Sequence, residues 1–568
     1  MFRISRVFWF AIRTFPGIWI CIIYTVSLKS GVVRDMTPFQ GIQARSVAAD
    51  PQFPQEGLVS LNLNDRHKHD VYRVNARTGA IELDTENPGT VMNWIADAQL
   101  KVRAAMASTP DGGHDLLVRT ATDKPWQTLR HWGPDDYGDA VSFSAEGTTL
   151  YIVGSHDANA VRLVAVDVAT GKETVIAEDP QYDVVGMVIH PITRVVQAVA
   201  FYKDKLEWQV LDQSIAEDFT ALAKIHKGEF SIIDRFSPPG LAGLGRRDLA
   251  DKTWIVSYVT DDGPVYYYAY DRGTKTGTLL FTHQPKLEGV GLAPMRPITY
   301  QSRDGLTIHG YLTTPVGIPA KNLPMVLLVH GGPWWRDTWG YNSVVQWLAN
   351  RGYVVLQVNF RGSTGYGKQF LNAGNREWAG KMHDDLIDGV HWVVQEGIAD
   401  PKKIAIVGIS YGGYSTLVGL TFTPEVFAAG VDLCGISNVV TWFKTIPPYW
   451  APAKAEFVRR VGDPDKEEEF LQARSPRFFV ERITAPLLIG QGANDPRVVQ
   501  AESDQMVEAM RQANKPVEYI LYADEGHGLA RPENRLHFFA KAEEFLAKHL
   551  GGRFEPAGDI KGHSGVSK

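Results

Sequence analysis

A serine between glycines is the strongest chemical signal in the sequence. Residues 408–413 read Gly-Ile-Ser-Tyr-Gly-Gly; they follow the aliphatic run 403–407 and lead into a helical pattern that ends near Leu420. A Gly-x-Ser-x-Gly pattern between a strand and a helix makes a sharp turn that lifts the serine hydroxyl above a sheet. Ser410 is therefore the predicted nucleophile.

A serine hydroxyl becomes a good nucleophile only when a base takes its proton, and a carboxylate must orient that base. In a strand–helix series of this kind the acid and then the histidine follow the serine, each in a loop after a later strand. Asp495 follows the predicted strand 486–490, and His527 follows the predicted strand 517–522. We expect Ser410, Asp495 and His527 to form a catalytic triad.

Other acids and histidines are weaker candidates for these roles. Asp524 and Glu525 lie too near His527 along the chain to be the expected acid, and are expected to bind within the loop or face solvent. A further three histidines fall inside helical patterns, where a satisfied core or surface histidine is the better interpretation: His383, His391 and His537.

A second glycine-rich segment, His-Gly-Gly-Pro at 330–333, directly follows the predicted strand 324–329. A loop in this position donates one backbone N–H to the oxyanion of the tetrahedral intermediate, and the residue after the nucleophile donates another. The N–H groups of Gly332 and Tyr411 are the expected donors. The alternative is that 330–333 forms only a Gly-Pro turn.

The elements that must position these residues begin near residue 298. Continuous aliphatic runs alternate there with helical patterns, which is typical of a parallel sheet covered by helices on both faces. The pattern predicts a doubly wound, mostly parallel sheet over 298–550 and a flexible tail at 551–568, which is rich in Gly, Ser and Lys. The predicted elements are strands 324–329, 354–358, 403–408, 427–433, 486–490 and 517–522 and helices 498–514 and 532–550.

Residues 37–295 contain short β-type runs separated by turn residues. Three times a run ending in Asn or Asp leads into a turn that ends in Thr-Gly, at 75–79, 167–171 and 271–277. Repetition of this kind, at a spacing of about two blades, predicts an all-β propeller, whose radial arrangement protects the strand edges. A β-sandwich with similar turns is the alternative.

Composition excludes several other classes of protein. The chain has 568 residues, 44% of them hydrophobic, enough for two or three globular domains. Its net charge is −6 and no basic cluster is interleaved with aromatic residues, so no nucleic-acid partner is expected. Two cysteines, Cys21 and Cys434, are too few for a disulfide framework, and Cys434 is predicted to be a small buried hydrophobe. No Cys/His spacing indicates zinc, and neither a metal nor a cofactor is expected.

Residues 1–35 form a separate, hydrophobic N-terminal segment. Arg3 and Arg6 precede its apolar part, Arg13 interrupts it, and residues 14–28 carry no charge. This run is shorter than the roughly 20 residues of a spanning helix, so a signal peptide, a membrane anchor and a tail outside the fold all stay open. Localisation is correspondingly open between the cytoplasm and export or membrane anchoring.

At these motifs the chain resembles the prolyl oligopeptidase family of serine peptidases, and within it the acylaminoacyl-peptidase and dipeptidyl-aminopeptidase-like members. The resemblance implies an α/β-hydrolase domain preceded by a β-propeller that admits short peptides and keeps folded proteins out. Ser410, Asp495 and His527 fall on the family's triad positions, and Gly332 and Tyr411 fall on its oxyanion positions. The resemblance is strong over 298–550 and weaker before it, and the segments that carry it are 330–333, 359–363, 365–367, 408–414, 495–498 and 526–528.

Two features of the sequence depart from the family pattern, and the role of one matching residue, Arg361, stays open. The β-rich segment has room for about five or six blades rather than the family's seven, which leaves open whether the first blades are missing and the propeller is incomplete. Dipeptidyl members hold the substrate amine with paired glutamates from the propeller region, but no Glu-Glu pair occurs between 37 and 295, which favours an acylaminoacyl or less selective specificity. Arg361 matches the family's Asn-x-Arg-Gly loop and is expected to be structural, with substrate contact as the alternative.

The resemblance and the candidate triad together imply a cofactor-free serine peptidase that hydrolyses short peptides through an acyl-enzyme on Ser410, as an acylaminoacyl-peptidase-like or dipeptidyl-peptidase-like exopeptidase. The alternative is a carboxylesterase or related acyl hydrolase, because the same residues serve esters. A second alternative is a catalytically inactive propeller interaction protein, against which the intact triad and oxyanion glycines argue. Short peptides are the expected partners; membrane contact would occur through residues 1–35, and the oligomeric state is open.

Overall fold

The computed structural model describes most of the chain. The described residues are 6–8, 13–15, 18–20, 23–26, 31–50, 52–53, 55–236, 251–447, 450 and 453–568. Over these ranges no helix has both the length and the apolar character to cross a membrane. About half of the predicted signal or anchor segment, residues 1–35, lies outside the described residues.

The described part of the N-terminal segment consists of short strands. One antiparallel sheet joins β1, β4 and β5, and β2 pairs with β3. Ile23 is buried with Ile42 and Val59 of the first propeller sheet, and its N–H donates to Thr37 Oγ1 at 3.0 Å. One predicted alternative, a tail outside the fold, is therefore wrong around Ile23, because its apolar side chain completes the core of that sheet. The strands are β1 (Arg6–Phe8), β2 (Arg13–Phe15), β3 (Ile18–Ile20), β4 (Tyr24–Val26) and β5 (Val33–Asp35).

Five consecutive antiparallel sheets follow and form a β-propeller, as predicted. The first sheet contains β6 (Ala44–Ala49), β7 (Glu56–Leu61), β8 (Asp70–Asn75) and β9 (Ile81–Thr85). The second contains β10 (Val91–Ala96), β11 (Val102–Ser108), β12 (His114–Val118) and β13 (Gln127–Trp132). The third contains β14 (Gly138–Phe143), β15 (Thr149–Gly154), β16 (Arg162–Asp167) and β17 (Glu173–Ala177).

The fourth sheet has three strands, and a helix packs beside the fifth. The fourth contains β18 (Val184–Ile189), β19 (Val196–Tyr202) and β20 (Leu206–Val210). After α1 (Ala216–Ile225), the fifth contains β21 (Glu229–Phe236), β22 (Thr253–Val259), β23 (Tyr266–Asp271) and β24 (Thr276–Thr282).

Each sheet shares a buried hydrophobic cluster with the next, which is the packing of propeller blades and not of a two-sheet sandwich. Leu58 of the first sheet meets Trp94 of the second, and Val188 of the fourth meets Trp254 of the fifth. The strands are rich in Val, Ile and aromatic residues, which cover such half-buried pleated surfaces well.

The rest of the chain forms an α/β-hydrolase domain around one nine-stranded sheet. The strand order is β25-β26-β28-β27-β29-β30-β31-β32-β33, and the pairs from β28 to β32 are parallel. Its strands are β25 (Met295–Gln301), β26 (Thr307–Thr313), β27 (Leu323–Val329), β28 (Val354–Asn359), β29 (Ala399–Ile409), β30 (Ala429–Leu433), β31 (Leu487–Gly492), β32 (Val517–Tyr522) and β33 (Gly565–Ser567).

Helices cover both faces of this sheet, so hydrophobic cores form on each side of it. That arrangement confirms the predicted doubly wound, mostly parallel sheet. The helices are α2 (Ser343–Asn350), α3 (Gly367–Asn372), α4 (Lys381–Gln395), α5 (Tyr411–Phe422), α6 (Val439–Lys444), α7 (Lys454–Val461), α8 (Glu468–Gln472), α9 (Gln500–Gln512) and α10 (Pro532–Leu550).

The C-terminal segment differs from its prediction as a flexible tail. β33 pairs antiparallel with β32, and the N–H of Lys568 donates to Tyr519 O at 2.9 Å. The ring of His563 stacks on that of His537 with 3.7 Å between centroids. The prediction is wrong here because unpaired backbone at the edge of β32 recruits a segment whose composition alone indicates no strand.

The propeller contacts the hydrolase domain next to the loop that follows β27. Arg336 donates through its guanidinium to the backbone oxygens of Tyr202 (2.9 Å) and Lys203 (3.1 Å). Asp183 and Gly365 exchange two hydrogen bonds, from each N–H to an oxygen of the other residue, at 3.1 and 3.0 Å. The end of the propeller that carries the turns between second and third strands therefore faces the candidate site.

The opposite end of the propeller carries the turns between first and second strands. A cavity of about 410 Å³ lies among the inner strands there and is lined by Asn93, Asp97 and His190. Arg194 Nη2 lies 2.7 Å from Asp50 Oδ2, joining the fourth sheet to the first. This ion pair bridges the first and fourth sheets at the end of the propeller that lies away from the hydrolase domain.

Candidate active site

Ser410 lies at the junction of β29 and α5 in strained backbone. Its φ of 63° and ψ of −119° fall in a region that residues other than glycine rarely adopt. The N–H of Ser410 donates to Leu433 O at 2.9 Å, and Ser410 O accepts from the N–H of Tyr414 at 2.9 Å. A Cβ at Gly408 would overlap the backbone of Gly412, so this turn requires glycine there.

Asp495 and His527 lie in the loops after β31 and β32 and are hydrogen-bonded to each other. The N–H groups of Arg497 and Val498 donate to Asp495 Oδ1 at 2.8 and 2.9 Å. The other carboxylate oxygen, Oδ2, lies 2.7 Å from Nδ1 of His527. Because Nδ1 is occupied, Nε2 is the nitrogen that is left to exchange a proton with a substrate or nucleophile.

The loop that carries His527 is held by the two acids beside it. Glu525 is buried, and its carboxylate accepts from the N–H groups of Ala530 and Arg531 at 2.9 Å each. Its backbone oxygen accepts from the N–H of Asn494 at 2.9 Å, which ties the histidine loop to the loop of Asp495. Glu525 thus binds within the loop, whereas Asp524 accepts from Asn534 Nδ2 of α10 at 2.9 Å, and neither acid replaces Asp495 opposite the imidazole.

Cys434 joins the serine turn to the histidine loop. Burial raises the pKa of the thiol well above its usual value, and the backbone of Ser410 and of Gly528 lies next to its sulfur. Its Sγ and one ligand atom each of Asp495 and His527 lie within 4.8 Å of one another. In the part of the chain that the structure describes, this is the one cluster of three potential metal ligands, yet its carboxylate and imidazole already bind each other.

The predicted oxyanion donors flank Ser410. Tyr411 is the first residue of α5, so its N–H has no acceptor within the helix. On the other side, a Cβ at Gly331 would lie 3.6 Å from Ser410 Cβ and 3.2 Å from Ile409 O. Gly332 follows with a φ of 128°, a conformation for which glycine is suited, and it is exposed.

His330 anchors the loop of Gly332. Its Nε2 lies 3.0 Å from Ser363 Oγ, and its Nδ1 lies 2.8 Å from Gly331 O. Burial lowers the pKa of His330 to about 4, so the imidazole is neutral at physiological pH. This residue therefore positions the loop through neutral hydrogen bonds.

Two buried carboxyls next to the site were not anticipated from the sequence. Asp432 lies inside the predicted strand 427–433 and inside β30, packs against Gly413 and Gly435, and has its pKa raised by burial to about 8. Asp337 accepts from Gln357 Nε2 at 2.8 Å, and burial raises its pKa to about 7. An aspartate inside an otherwise aliphatic strand was the one available signal for Asp432.

Arg361 lies in an ion-pair network behind the site. Its guanidinium donates to Asp385 at 2.7 and 2.8 Å and to both oxygens of Asp304 at 2.8 Å. Both Arg361 and Asp385 are buried. These contacts support the structural role expected for Arg361, because every arm of its guanidinium is engaged by the protein.

Aromatic residues form one cluster beside the loop of Asp495. Phe457 contacts the rings of Trp334, Trp442 and Trp450, with centroids 5.4 to 5.8 Å apart. Trp442 Nε1 donates to Arg497 O at 3.1 Å, which connects the cluster to the acid loop. The cluster therefore forms an apolar wall on the side of the site away from α10.

The helical histidines lie outside this constellation. His383 is buried, with Nε2 2.9 Å from Thr423 Oγ1, and His537 Nδ1 lies 2.9 Å from Tyr522 Oη. Each has a local partner, as expected for satisfied histidines.

Comparison with known proteins agrees with the geometry. The family model described as "Prolyl oligopeptidase family" matches residues 339–553. Dipeptidyl aminopeptidase BIII of Pseudoxanthomonas mexicana is 47% identical over 559 residues, covering 95% of this chain and 78% of that protein. Dipeptidyl peptidase family member 6 of Caenorhabditis elegans is 36% identical over 533 residues, covering 88% of this chain and 70% of that protein.

Solved structures share the fold at low sequence identity. A puromycin-hydrolysing peptidase of Mycobacterium tuberculosis superposes with a TM-score of 0.75 at 20% identity, covering 98% of this chain and 87% of that chain. The acylaminoacyl peptidase of Pyrococcus horikoshii gives a TM-score of 0.67 at 18% identity, with coverage of 95% and 87%. Two relatives that match over 78% and 70% of their own length are 47% and 36% identical to this chain. The chain therefore belongs to the prolyl oligopeptidase family and is a serine peptidase.

Proposed function

We propose that Ser410 is the nucleophile of this peptidase and that Asp495 and His527 complete its triad. The observation that carries the proposal is the 2.7 Å hydrogen bond between His527 Nδ1 and Asp495 Oδ2, which leaves Nε2 for the serine. Cys434 supports it further, because its sulfur contacts the serine turn and lies close to the acid–base pair.

The reaction runs through an acyl-enzyme. Ser410 Oγ attacks the carbonyl carbon of the scissile peptide bond while Nε2 of His527 takes the hydroxyl proton. The N–H groups of Tyr411 and Gly332 hold the oxyanion that forms. The C–N bond then breaks, His527 gives the proton to the leaving amine, and water attacks the acyl group by the same steps to release the acid and restore Ser410.

For the substrate, we propose short peptides from which a dipeptide is removed at a free amino terminus. The two relatives that match over most of their length are named dipeptidyl peptidases, whereas the acylamino-acid-releasing enzymes match over only 240 to 259 residues. This preference runs against the expectation drawn from the absence of a Glu-Glu pair. Release of an N-acylated residue is the second candidate, supported by the fold shared with an acylaminoacyl peptidase.

We further propose that residues 37–295 act as a domain that limits access to the hydrolase domain at 298–550. The ion pair between Asp50 and Arg194 bridges the first and fourth sheets at the end of the propeller away from the hydrolase domain. The contacts of Arg336 hold the inner end of the propeller against the loop next to Gly332. Peptides would then enter between the domains rather than along the channel.

The experiment is hydrolysis of a chromogenic panel by the full chain and by Ser410→Ala. The panel contains free-amine dipeptidyl anilides, N-acetyl-aminoacyl anilides, aminoacyl anilides and a short acyl ester. We expect the free-amine dipeptidyl anilide to be cleaved fastest and all activity to vanish in Ser410→Ala.

A control variant and the relative rates on the panel make the outcome decisive. Ser503→Ala changes a buried serine that is hydrogen-bonded to Gln491 in the same domain, and it should leave turnover within about threefold. Residual amide hydrolysis by Ser410→Ala would refute the assignment of Ser410 as the nucleophile. If the acetylated anilide is cleaved faster than the free-amine dipeptidyl anilide, the proposed dipeptidyl activity is replaced by the acylaminoacyl activity. Cleavage of the ester alone would overturn the proposed peptide substrate.

A further inference from the structure

A cavity lies on the far side of the serine turn from the aromatic cluster, between the sheet and helices α2 and α10. Its volume is about 160 Å³, close to that of engineered apolar cavities of roughly 150 Å³ that bind benzene. Strand residues such as Val407 and Leu433 form its floor, and α10 contributes Phe538, Ala542 and Leu546. It is therefore a preformed apolar space of the size of one small ring.

Two titratable side chains line the wall of this cavity, and one of them is a carboxyl group. Asp337 lines the cavity, and the Oδ2 atom of Asp337 is buried without a hydrogen-bond partner among the described residues. Its other oxygen accepts from Gln357 Nε2, and Gln357 Oε1 is likewise buried and without a partner. His330, the second titratable residue in the wall, is neutral because burial lowers its pKa to about 4. Of these two acceptors, Asp337 Oδ2 belongs to a residue of the cavity wall, and it lacks a donor there.

Aromatic rings form another part of the wall. Trp347 and Phe539 meet edge to face with centroids 5.3 Å apart, and Phe538 lies 5.9 Å from Phe539. Aromatic faces together with a carboxylate are the groups that proteins use to bind ammonium ions. The cavity is reachable from solvent, since Ile409 in its wall is 38% exposed.

We propose that this cavity is a binding site for a small organic ammonium ion with an apolar body of about six to eight carbon atoms. The apolar body fills the space against α10, and the ammonium donates to Oδ2 of Asp337. Such a cation supplies the donor that Asp337 Oδ2 lacks, and no neutral hydrocarbon can do so. The site is separate from the substrate cleft, yet it shares Gly331 and Ile409 with the oxyanion loop and the serine turn.

The experiment is calorimetric titration of the full chain with 2-phenylethylammonium chloride and with its neutral analogue 2-phenylethanol. We expect saturable binding of one ammonium per chain and binding of the alcohol that is weaker by about tenfold or more, since one charge-assisted hydrogen bond is lost. Ala542→Phe, which fills the cavity, should abolish binding of the ammonium. Glu544→Phe, which adds the same ring at an exposed position of α10, should leave it unchanged.

A second pair of measurements keeps the test decisive if Ala542→Phe fails to fold. Asp337→Asn should weaken binding of the ammonium by about tenfold and leave binding of the alcohol unchanged. Sulfonylation of the active-site serine with a sulfonyl fluoride, which releases fluoride, should not affect binding, because the substrate cleft is a different space. Absence of binding, equal affinity for alcohol and ammonium, unchanged affinity in Asp337→Asn, or loss of binding after sulfonylation would each overturn the proposal.

Discussion

The neighbouring glycines of the oxyanion loop allow the proposed mechanism to be tested by adding one methyl group. Gly332 has a φ of 128°, and a Cβ built on it would lie 2.8 Å from Trp334 N and 3.1 Å from Trp335 Cβ. Gly331 has no such φ, and its Cβ would meet Ile409 O at 3.2 Å. Gly332→Ala and Gly331→Ala therefore place the same group at adjacent residues with different backbone demands.

The expected loss in Gly332→Ala follows from two contributions. A side chain in this region of φ costs about 1–3 kcal/mol, which the loop relieves by moving its backbone away from Ser410. Removing one oxyanion donor costs about 100- to 1,000-fold in kcat, or roughly 3–4 kcal/mol of transition-state stabilisation. At Gly331 the carbonyl oxygen of Ile409 needs to move by only a few tenths of an ångström to admit the added Cβ atom. We therefore expect kcat to fall by less than about tenfold in Gly331→Ala.

The assay is steady-state hydrolysis of a dipeptidyl anilide, with kcat and KM determined separately. Because the oxyanion exists only in the transition state and the intermediate, kcat should fall in Gly332→Ala while KM stays within about threefold. Circular dichroism checks that both variants are folded. A Gly332→Ala enzyme with normal kcat, or a larger kcat loss in Gly331→Ala, would refute the assignment of Gly332 as the donor.

Three further predictions test the surrounding structure. Asp495→Asn should lower kcat by about 10,000-fold with little change in KM, because an amide leaves His527 in the wrong tautomer; a loss below about tenfold, measured with the same anilide, would contradict the triad. Burial raises the pKa of Asp432 to about 8, so the folded carboxyl keeps its proton up to that pH whereas the unfolded one loses it near pH 4. The free energy of unfolding of the wild type should therefore fall with rising pH across this window, relative to Asp432→Asn, by about 1.4 kcal/mol per pH unit. Urea unfolding at about pH 5.5 and 7.5 checks this, with Asp123→Asn as the exposed control, and an equal difference at both pH values would refute it. Arg361→Leu leaves Asp385 buried without its partner and should lower the free energy of unfolding by about 3–5 kcal/mol; unchanged urea unfolding would contradict this.

The parallel part of the fold could be predicted because its strands are buried on both faces. Their continuous aliphatic runs stand out from the loops. Helix α10 begins with a proline and has a clear apolar periodicity, so its predicted range matches the observed one. β25 and β26 were not among the predicted strands, because they pair antiparallel and lack the continuous aliphatic runs of the parallel strands. β33 is three residues long, and only its pairing with β32 makes it a strand.

The candidate site divides in the same way between local and long-range information. Ser410, Asp495 and His527 could be proposed because turn chemistry and chain order constrain each one locally. The contacts of Cys434 and Asp432 could not, because they arise where the end of β30 passes behind the serine turn. Burial of Cys434 was predicted from the sequence, but the residues that it contacts were not. No ion-pair partner was predicted for Arg361.

The pairing of β33 with β32 has a practical consequence for anyone preparing this protein. Deleting residues 565–568 would leave the hydrogen-bonding groups of β32 facing water at the end of a nine-stranded sheet, where another molecule can pair with them. A purification handle fused directly after Lys568 would start from this paired edge rather than from a loose end. A flexible spacer of several glycines and serines before the handle would let the edge stay closed, and preparations without it should self-associate more readily on storage.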